Sequence, residues 1–219
     1  MFTKVSVLIP TRQRPERLDS LLTSFAHEKD AELVFRVDDD DSASQDRLRG
    51  YRVVVGPRHG GYASMPLFFN ELYGASTGDV LMCGNDDMVF QTPGWPEAVL
   101  ETANQFPDGL FDIGVMTLNE THYPFSIVSR KAADRMGFLW DPRIFWGDIF
   151  LRDVMAAFGR CVMLSAVQVD HDWAGNRPDG VFLETRESKG RCEGDSSYWS
   201  GVHLRAVNEA IDKLRGLLT

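Results

Sequence analysis

The chain has 219 residues, 43% of them hydrophobic, with a formal net charge of −9 and an isoelectric point near 5.0. This length and apolar content suit one large folded domain, or two small ones, with a sizeable core. The acidic balance argues against a protein that coats nucleic acid through a general basic field, although a local basic groove is compatible with it.

The start of the sequence and its cysteines bear on the cellular compartment. The first residues follow a strand pattern directly, without the charged and apolar regions of a signal peptide. No apolar run approaches the roughly 20 residues that span a bilayer. The three cysteines, Cys83, Cys161 and Cys192, form no C-x-x-C pair, which favours reduced thiols over a disulfide framework or structural zinc. We therefore expect a cytoplasmic protein without a membrane span.

The chain opens with a predicted strand at residues 5–9, a basic loop with the sequence PTRQRP, and a helix with an apolar face. Backbone N–H groups together with Arg12 or Arg14 near a helix start are a ready site for an anion. The alternative interpretation of this loop is a solvated arginine-rich turn.

The second predicted strand, residues 32–37, ends in the acidic run DDDDS. One interpretation is a solvated loop. A calcium loop would need a glycine and a distal glutamate at fixed spacing, and neither follows Asp38 and Asp40. The third interpretation is recognition of a nucleobase or ribose by an acidic residue at the end of a second α/β strand.

A third predicted strand, residues 51–55, precedes the flexible basic loop GPRHGG, in which Arg58 can approach a phosphate. An apolar helical face containing Phe68 and Leu72 follows. Strand and helix thus alternate three times, which predicts a mostly parallel sheet with helices on both faces.

The fourth predicted strand, with the apolar sequence VLMC, ends at a glycine turn carrying Asn85, Asp86 and Asp87. Carboxylates at the carboxyl end of such a strand lie in the crevice where open α/β sheets bind ligands. The turn is therefore a candidate metal site, with a solvated strand end as the alternative.

The second half of the chain continues with helices and strands. Residues 97–106 and 130–136 are predicted helices, and residues 113–118 and 125–128 are predicted strands. An aromatic loop, residues 138–148, ends in Asp148 and is interpreted either as a sugar-binding wall or as a turn that plugs the core. A helix at 149–158 and a strand at 161–169 follow. His171 comes just after this strand, between two aspartates, and is either a metal ligand or a structural histidine.

Five segments, in order along the chain, resemble the nucleotide-diphospho-sugar transferase (GT-A) fold and in particular the inverting glycosyltransferases of family 2. They are VSVLIPTRQRPERLDSLL, VDDDDS, STGDVLMCGNDDMVF, MGFLWDPRIFWGDIFLRDV and VDHDW. The resemblance implies a Rossmann-like α/β fold with a mostly parallel mixed sheet flanked by helices. It implies a single domain with a nucleotide-binding half (1–90) and an acceptor and catalytic half (91–173). Residues 174–200 are expected to form a mobile loop or lid, and residues 201–219 the C-terminal helix.

The resemblance also implies roles for individual residues. Asp87 and His171 would hold Mn²⁺ or Mg²⁺ at the diphosphate, and Asp148 would be the general base. Asn85 replaces the first aspartate of the family's metal motif, and Gly147 replaces the glutamate that usually precedes the catalytic aspartate. The residues expected to bind the nucleotide are Pro10, Thr11, Arg12, Arg14, Asp38, Asp39, Arg58, Asn85 and Asp86.

The implied function is metal-dependent, inverting transfer of a sugar from a nucleoside-diphosphate sugar, most readily a UDP-sugar, to an acceptor hydroxyl of unknown identity. A nucleotidyltransferase would carry a longer glycine-rich segment and a lysine after the first strand. A haloacid-dehalogenase-like phosphohydrolase is a sharper alternative, because Asp38-x-Asp40 mimics its nucleophile motif, but no lysine lies between Lys29 and Lys131. A catalytically silent nucleotide-sugar-binding protein, motivated by Asn85 and Gly147, is the third possibility.

Overall fold

The computed structural model describes residues 1–118, 124–144, 146–171 and 198–218. Its strands are β1 (Val5–Thr11), β2 (Ala31–Asp38), β3 (Arg52–Gly56), β4 (Val80–Cys83), β5 (Met88–Phe90), β6 (Asp112–Met116), β7 (Ile127–Ser129) and β8 (Cys161–His171). Its α-helices are α1 (Leu18–Phe25), α2 (Ser42–Arg47), α3 (Met65–Ala75), α4 (Trp95–Ala103), α5 (Arg130–Met136), α6 (Gly147–Ala156) and α7 (Leu204–Leu214).

The strands form one eight-stranded sheet in the order β3-β2-β1-β4-β7-β6-β8-β5. The first four strands run parallel to one another. Strand β7 is antiparallel to both β4 and β6, β8 runs parallel to β6, and β5 is antiparallel to β8. The predicted mixed α/β sheet is therefore confirmed, and its first half has the parallel arrangement that gathers strand ends at one edge.

The core divides into two layers because successive side chains of a strand point to opposite faces. On β1, Val5, Val7 and Ile9 pack on one face with residues of α1 and α4. Leu8 points to the other face, where it belongs to a cluster with residues of α3, α5, α6 and α7. The sheet thus has helices on both faces, as the alternation of strand and helix predicts.

Two differences from the sequence-based elements matter for the site. Helix α2 was not predicted, and its N-cap is Asp41, whose side chain accepts a hydrogen bond from the backbone N–H of Ser44 at 3.1 Å. This cap takes the last aspartate of the acidic run into a helix start. Strand β8 extends to His171, which pairs opposite Met88 of β5 and so lies beside the turn that follows β4.

The predicted lid lies outside the described residues up to position 197, as do Phe145 and the last two residues of VDHDW. Residues Tyr198–His203 form a π-helical turn that leads into α7, and a short 3-10 turn, Arg215–Leu217, follows α7. Within the described parts of the chain, no helix has the length and apolarity needed to cross a bilayer.

Candidate functional site

The predicted site residues converge at the carboxyl edge of β1, β2 and β4. Pro10 and Thr11 are the last residues of β1, and Asp38 is the last residue of β2. Residues 84–87 follow β4 directly. Because these three strands are parallel neighbours, their following loops lie side by side.

The loop after β1 is fixed by a tight turn. The backbone N–H of Arg17 donates to the carbonyl of Arg14 at 3.0 Å, with Pro15 at the turn position that favours its fixed φ. Gln13 has a φ of 51°, and its N–H donates to Asp41 Oδ2 at 2.6 Å. The turn therefore holds Arg14 and Arg17 on a loop that is anchored to the start of α2.

Asp38 lies behind the surface, held by two buried guanidinium groups. Arg12 donates through Nε to Asp38 Oδ2, and Arg36 donates through a terminal nitrogen to Asp38 Oδ1. Arg36 also donates to Glu71 Oε2 at 3.1 Å and lies 4.3 Å from the ring centroid of Phe68. With Asp38 only 1% exposed, both of its oxygens are committed to positioning arginines.

The two middle residues of the acidic run face solvent. Asp39 and Asp40 are exposed, and Arg58 NH1 lies 3.2 Å from Asp40 Oδ2. The predicted phosphate-binding Arg58 also donates to Gln13 Oε1 at 3.4 Å, so it reaches the β1 loop. Of the two aspartates predicted to contact a base, Asp39 is the one that presents its side chain outward.

Asp86 belongs to the protein interior more than to the surface. Thr11 Oγ1 donates to Asp86 Oδ2 at 2.8 Å, and Arg14 NH1 lies 3.7 Å from Asp86 Oδ1. Burial raises the pKa of Asp86 to about 6, and the charge of Asp87 adds to this rise, whereas Arg14 and Thr11 oppose it. Asp86 is thus a buried link between β1 and the turn after β4.

Asp87 has a different environment. Arg17 NH1 lies 3.8 Å from Asp87 Oδ2. Asp87 Oδ1 is buried and accepts no hydrogen bond within the described part of the structure. A buried carboxylate oxygen without a donor is costly unless a cation or a ligand group satisfies it.

His171 lies next to the same turn. Its Nε2 atom is 3.1 Å from Asn85 Nδ2, and the ring of Phe125 packs against it edge-on at a centroid distance of 4.8 Å. The pairing of β5 with β8 produces this juxtaposition, because it fixes the end of β8 beside the end of β4.

These residues fit a divalent cation that takes most of its ligands from elsewhere. Among residues 1–118, 124–144, 146–171 and 198–218, no three or more His, Cys, Asp or Glu side chains converge as a protein-only metal site. Mg²⁺ is usually bound by one or two carboxylates together with substrate phosphates and water. Asp87, with its unsatisfied oxygen, suits that arrangement, and His171 lies at the same turn, beside Asn85.

Asp148 lies in the first turn of α6, next to the end of β4. Its backbone carbonyl accepts from Ser126 Oγ at 3.4 Å, and the carbonyl of Ser126 accepts from the N–H of Cys83 at 2.9 Å. Burial raises the pKa of the nearby Asp112 to about 7, against hydrogen bonds from Ser126 and Ile127, and the charge of Asp148 adds to the rise. Asp148, the predicted catalytic carboxylate, is half-buried. Its backbone is linked through Ser126 to Cys83, the last residue of β4, after which the acidic turn begins.

The aromatic loop before Asp148 is largely core. Leu139, Trp140 and Ile144 are buried, and the Trp140 ring lies 4.1 Å from the ring of Phe69, centroid to centroid. Of the two interpretations of this loop, burial of the Trp140 ring supports the turn that plugs the core. Trp146 is half-buried.

The sequence-based prediction did not include three residues that contact or influence the predicted site residues: Arg17, Arg36 and Asp112. Arg36 interrupts an apolar strand, and a charged residue in such a strand signals a buried partner. Arg17 follows Arg14 by three positions across a proline turn, a spacing that brings the two side chains to one place. Asp112 offers no comparable signal, because it lies at the start of a strand.

No protein-family model matches the chain, and no curated protein matches it significantly in sequence. The mannosyltransferase PcManGT from Pyrobaculum calidifontis, solved with GDP-Man and Mn²⁺, superposes with a TM-score of 0.61 at 12% identity, covering 100% of this chain and 76% of that one.

Two further solved structures are similar. Glucosyl-3-phosphoglycerate synthase from Mycobacterium tuberculosis, with Mn²⁺, UDP and phosphoglyceric acid, gives a TM-score of 0.57 at 15% identity, covering 97% of this chain and 79% of that one. TarS from S. aureus, with UDP-GlcNAc, gives 0.55 at 15% identity, covering 83% of this chain and 61% of that one. At these identities the similarity establishes the fold. The chain has the GT-A fold of the nucleotide-diphospho-sugar transferases.

Proposed function

We propose that this chain is a glycosyltransferase that moves a sugar from a nucleoside-diphosphate sugar to an acceptor hydroxyl, with a divalent cation at the diphosphate. The observation that carries the proposal is the meeting of Arg14 and Arg17 with Asp86 and Asp87 at the carboxyl edge of a GT-A sheet. Basic side chains and a carboxylate with an unsatisfied oxygen suit a diphosphate and its counter-cation.

We assign the nucleotide to residues 1–90 and the acceptor to residues 91–173. A UDP-sugar is the proposed donor, which is supported by the uridine nucleotides in two of the similar structures. Asp39 would contact the base or ribose because it is exposed, whereas both oxygens of Asp38 accept from guanidinium groups. Asp38 would act indirectly by fixing Arg12, whose terminal nitrogen also donates to the carbonyl of His59.

The leaving group gains negative charge as the bond between the anomeric carbon and the diphosphate breaks. A bound Mn²⁺ or Mg²⁺, held by Asp87 and His171, would supply positive charge there. Arg14 and Arg17 are placed to add fixed donors to the same region. These side chains come from one anchored turn, so little reorganisation is needed when charge develops.

Asp148 is the proposed general base. A carboxylate within hydrogen-bond reach of the acceptor hydroxyl takes its proton as the oxygen attacks the anomeric carbon. Attack from the face opposite the departing diphosphate inverts the anomeric configuration. Aspartate in the first turn of α6 is also favourable to the helix, because the N-terminal end of the helix dipole is positive.

The phosphohydrolase alternative is disfavoured by the position of Asp38. A nucleophilic carboxylate must reach a phosphorus atom, yet Asp38 is fully buried and bonded to Arg12 and Arg36. Activity measurements distinguish a glycosyltransferase from the third alternative, a catalytically silent nucleotide-sugar-binding protein.

The test is turnover of a panel of nucleoside-diphosphate sugars with Mn²⁺, using water as the acceptor until the natural one is known. We expect release of a nucleoside diphosphate from one donor, with the initial sugar product in the inverted configuration by NMR. Binding of a donor without any turnover would identify the silent binding protein, and phosphate release from monoesters would identify the phosphohydrolase.

A further inference from the structure

Arg17 lies against the carboxylate that is proposed to hold the cation. Its NH1 atom is 3.8 Å from Asp87 Oδ2, and the two side chains are only 15% and 18% exposed. This separation is an ion pair rather than a short hydrogen bond. In partly buried surroundings the electrostatic attraction of such a pair is stronger than it would be in water. Because the two atoms are not joined by a short hydrogen bond, both groups are able to change partners.

The acidic turn is neutralised by the chain itself. The proline turn after β1 places Arg14 at Asp86 and Arg17 at Asp87, so a guanidinium lies at each of the two adjacent carboxylates. A divalent cation that approaches this turn therefore meets positive charge as well as negative charge. The local arrangement opposes binding of the cation alone.

The two carboxylates are not equivalent. Asp86 is buried and accepts a hydrogen bond from Thr11 at 2.8 Å, so its position is tied to β1. Asp87 has one buried oxygen that accepts no hydrogen bond in the described residues, and its other oxygen faces Arg17. Asp87 is thus the carboxylate that can exchange a guanidinium for a cation.

We propose that Arg17 is a counter-ion that occupies Asp87 until a diphosphate arrives, so that nucleotide and cation bind in a coupled manner. A diphosphate is a better partner for a guanidinium than a single carboxylate, because it offers more charge and several oxygens in a fork geometry. When Arg17 turns to the diphosphate, Asp87 is released to the cation. The part that concerns the nucleotide rests on the proposed function.

This coupling is reciprocal, because whatever factor the nucleotide adds to cation affinity the cation adds to nucleotide affinity. Arg17 is accordingly a positioning residue: it acts on the cation through Asp87. The arrangement lets the site remain metal-free in the absence of the donor and assemble only when both ligands are present.

The experiment is calorimetric titration of Mn²⁺ into the wild-type protein and into Arg17→Gln, first without nucleotide and then with saturating UDP. We expect Arg17→Gln to bind Mn²⁺ alone about tenfold more tightly, equivalent to about 1.4 kcal/mol. We also expect UDP to enhance Mn²⁺ affinity less in the variant than in the wild type.

The controls isolate the role of Arg17. Arg49→Gln removes the same charge from an arginine that is 80% exposed and paired with Asp46, and should leave Mn²⁺ affinity unchanged. Asp87→Asn should abolish Mn²⁺ binding in both backgrounds. Thermal melts establish that each variant is folded, and Arg17→Met, which keeps the apolar stem, replaces Arg17→Gln if the latter does not fold.

The outcomes separate this inference from the proposed function. Equal or weaker Mn²⁺ affinity in the folded Arg17 variants would overturn the counter-ion role, whatever the nucleotide does. Tighter Mn²⁺ binding without binding of any nucleoside diphosphate would support the counter-ion role and contradict the proposed function.

Discussion

The indole ring of Trp140 lies directly on Gly147: a Cβ atom at residue 147 would be 1.8 Å from the ring. The Asn70 side chain fixes this ring, accepting from the N–H groups of Leu139 and Trp140 and donating to the carbonyl of Trp140. The residue before Asp148 therefore has no room for a glutamate, the residue that the resemblance to the family 2 glycosyltransferases implies there. In the proposed mechanism, Asp148 would therefore act without a neighbouring glutamate.

Gly147→Ala should lower the free energy of unfolding by about 1–3 kcal/mol, because overpacking forces the ring or the backbone to move. Gly74→Ala is the matched control: Gly74 lies within α3, a Cβ there meets nothing within 4 Å, and alanine should stabilise the helix by up to about 1 kcal/mol. Urea denaturation of both variants measures the difference. Equal effects of the two substitutions would contradict the packing explanation.

Trp140→Ala combined with Gly147→Ala gives a second check of the same contact. Residues in contact are expected to be non-additive. The double variant should lose less stability than the sum of the single variants, because removing the ring removes the clash.

Asp148→Asn should reduce the rate of sugar transfer by about 10²–10⁴-fold, the usual range for loss of a general base. Nucleotide affinity should stay within about twofold of the wild type, because Asp148 lies in the half that is proposed to bind the acceptor. Asp212→Asn, in α7 and 69% exposed, serves as the control for loss of one carboxylate. Loss of both sugar transfer and nucleotide binding in Asp148→Asn would contradict the assignment of Asp148 as the base.

Asp38→Asn should cost about 3 kcal/mol of stability, because it leaves Arg12 and Arg36 buried without their shared counter-charge. Asp39→Asn, next to it and exposed, should change stability by less than about 0.5 kcal/mol. Both should weaken nucleotide binding, the first through Arg12 and the second by direct contact. Chemical denaturation and calorimetry separate the two effects, and equal stability of the two variants would refute the buried-anchor role of Asp38.

Asp112 makes stability depend on pH. Burial raises its pKa from 3.8 to about 7, so the folded protein retains a proton that the unfolded chain releases above its ordinary pKa. This contribution to stability is complete below about pH 4 and is lost as the pH rises to about 7. Asp112→Asn should therefore be more stable than the wild type at pH 8, by about 1–4 kcal/mol, with less advantage at pH 5.

The measurement for Asp112 is urea unfolding of both proteins at several pH values between 5 and 8. Other groups, including Asp86, titrate in the same window, and the difference between variant and wild type removes their common contribution. A difference that stays constant across this pH range would contradict a raised pKa for Asp112.

Much of the fold was predictable because it depends on short-range patterns. Apolar strands alternating with helices indicated the parallel sheet, and the rule that ligands bind at the carboxyl edge placed Thr11, Asp87 and His171 together. His171 follows the last predicted strand, and it lies beside the acidic turn because β8 pairs with β5, the strand that follows this turn.

What could not be predicted depends on contacts distant in the sequence. The four adjacent aspartates look alike, yet Asp38 is buried between two arginines, Asp41 caps a helix, and the two between them face solvent. The reason for Gly147 is likewise invisible in the sequence, since it lies in a ring seven positions earlier that is held by α3. Capping and ring packing of this kind emerge only in three dimensions.

The most direct test of the central claim is the thermal midpoint of unfolding with the diphosphates of uridine, guanosine, thymidine, cytidine and adenosine, each with and without Mn²⁺. A ligand that binds the native state raises the midpoint by mass action. We predict a rise for one diphosphate, UDP, that requires Mn²⁺ and is absent in Asp87→Asn. No shift with any of the five, with or without Mn²⁺, would contradict the proposal that this site binds a nucleotide-sugar.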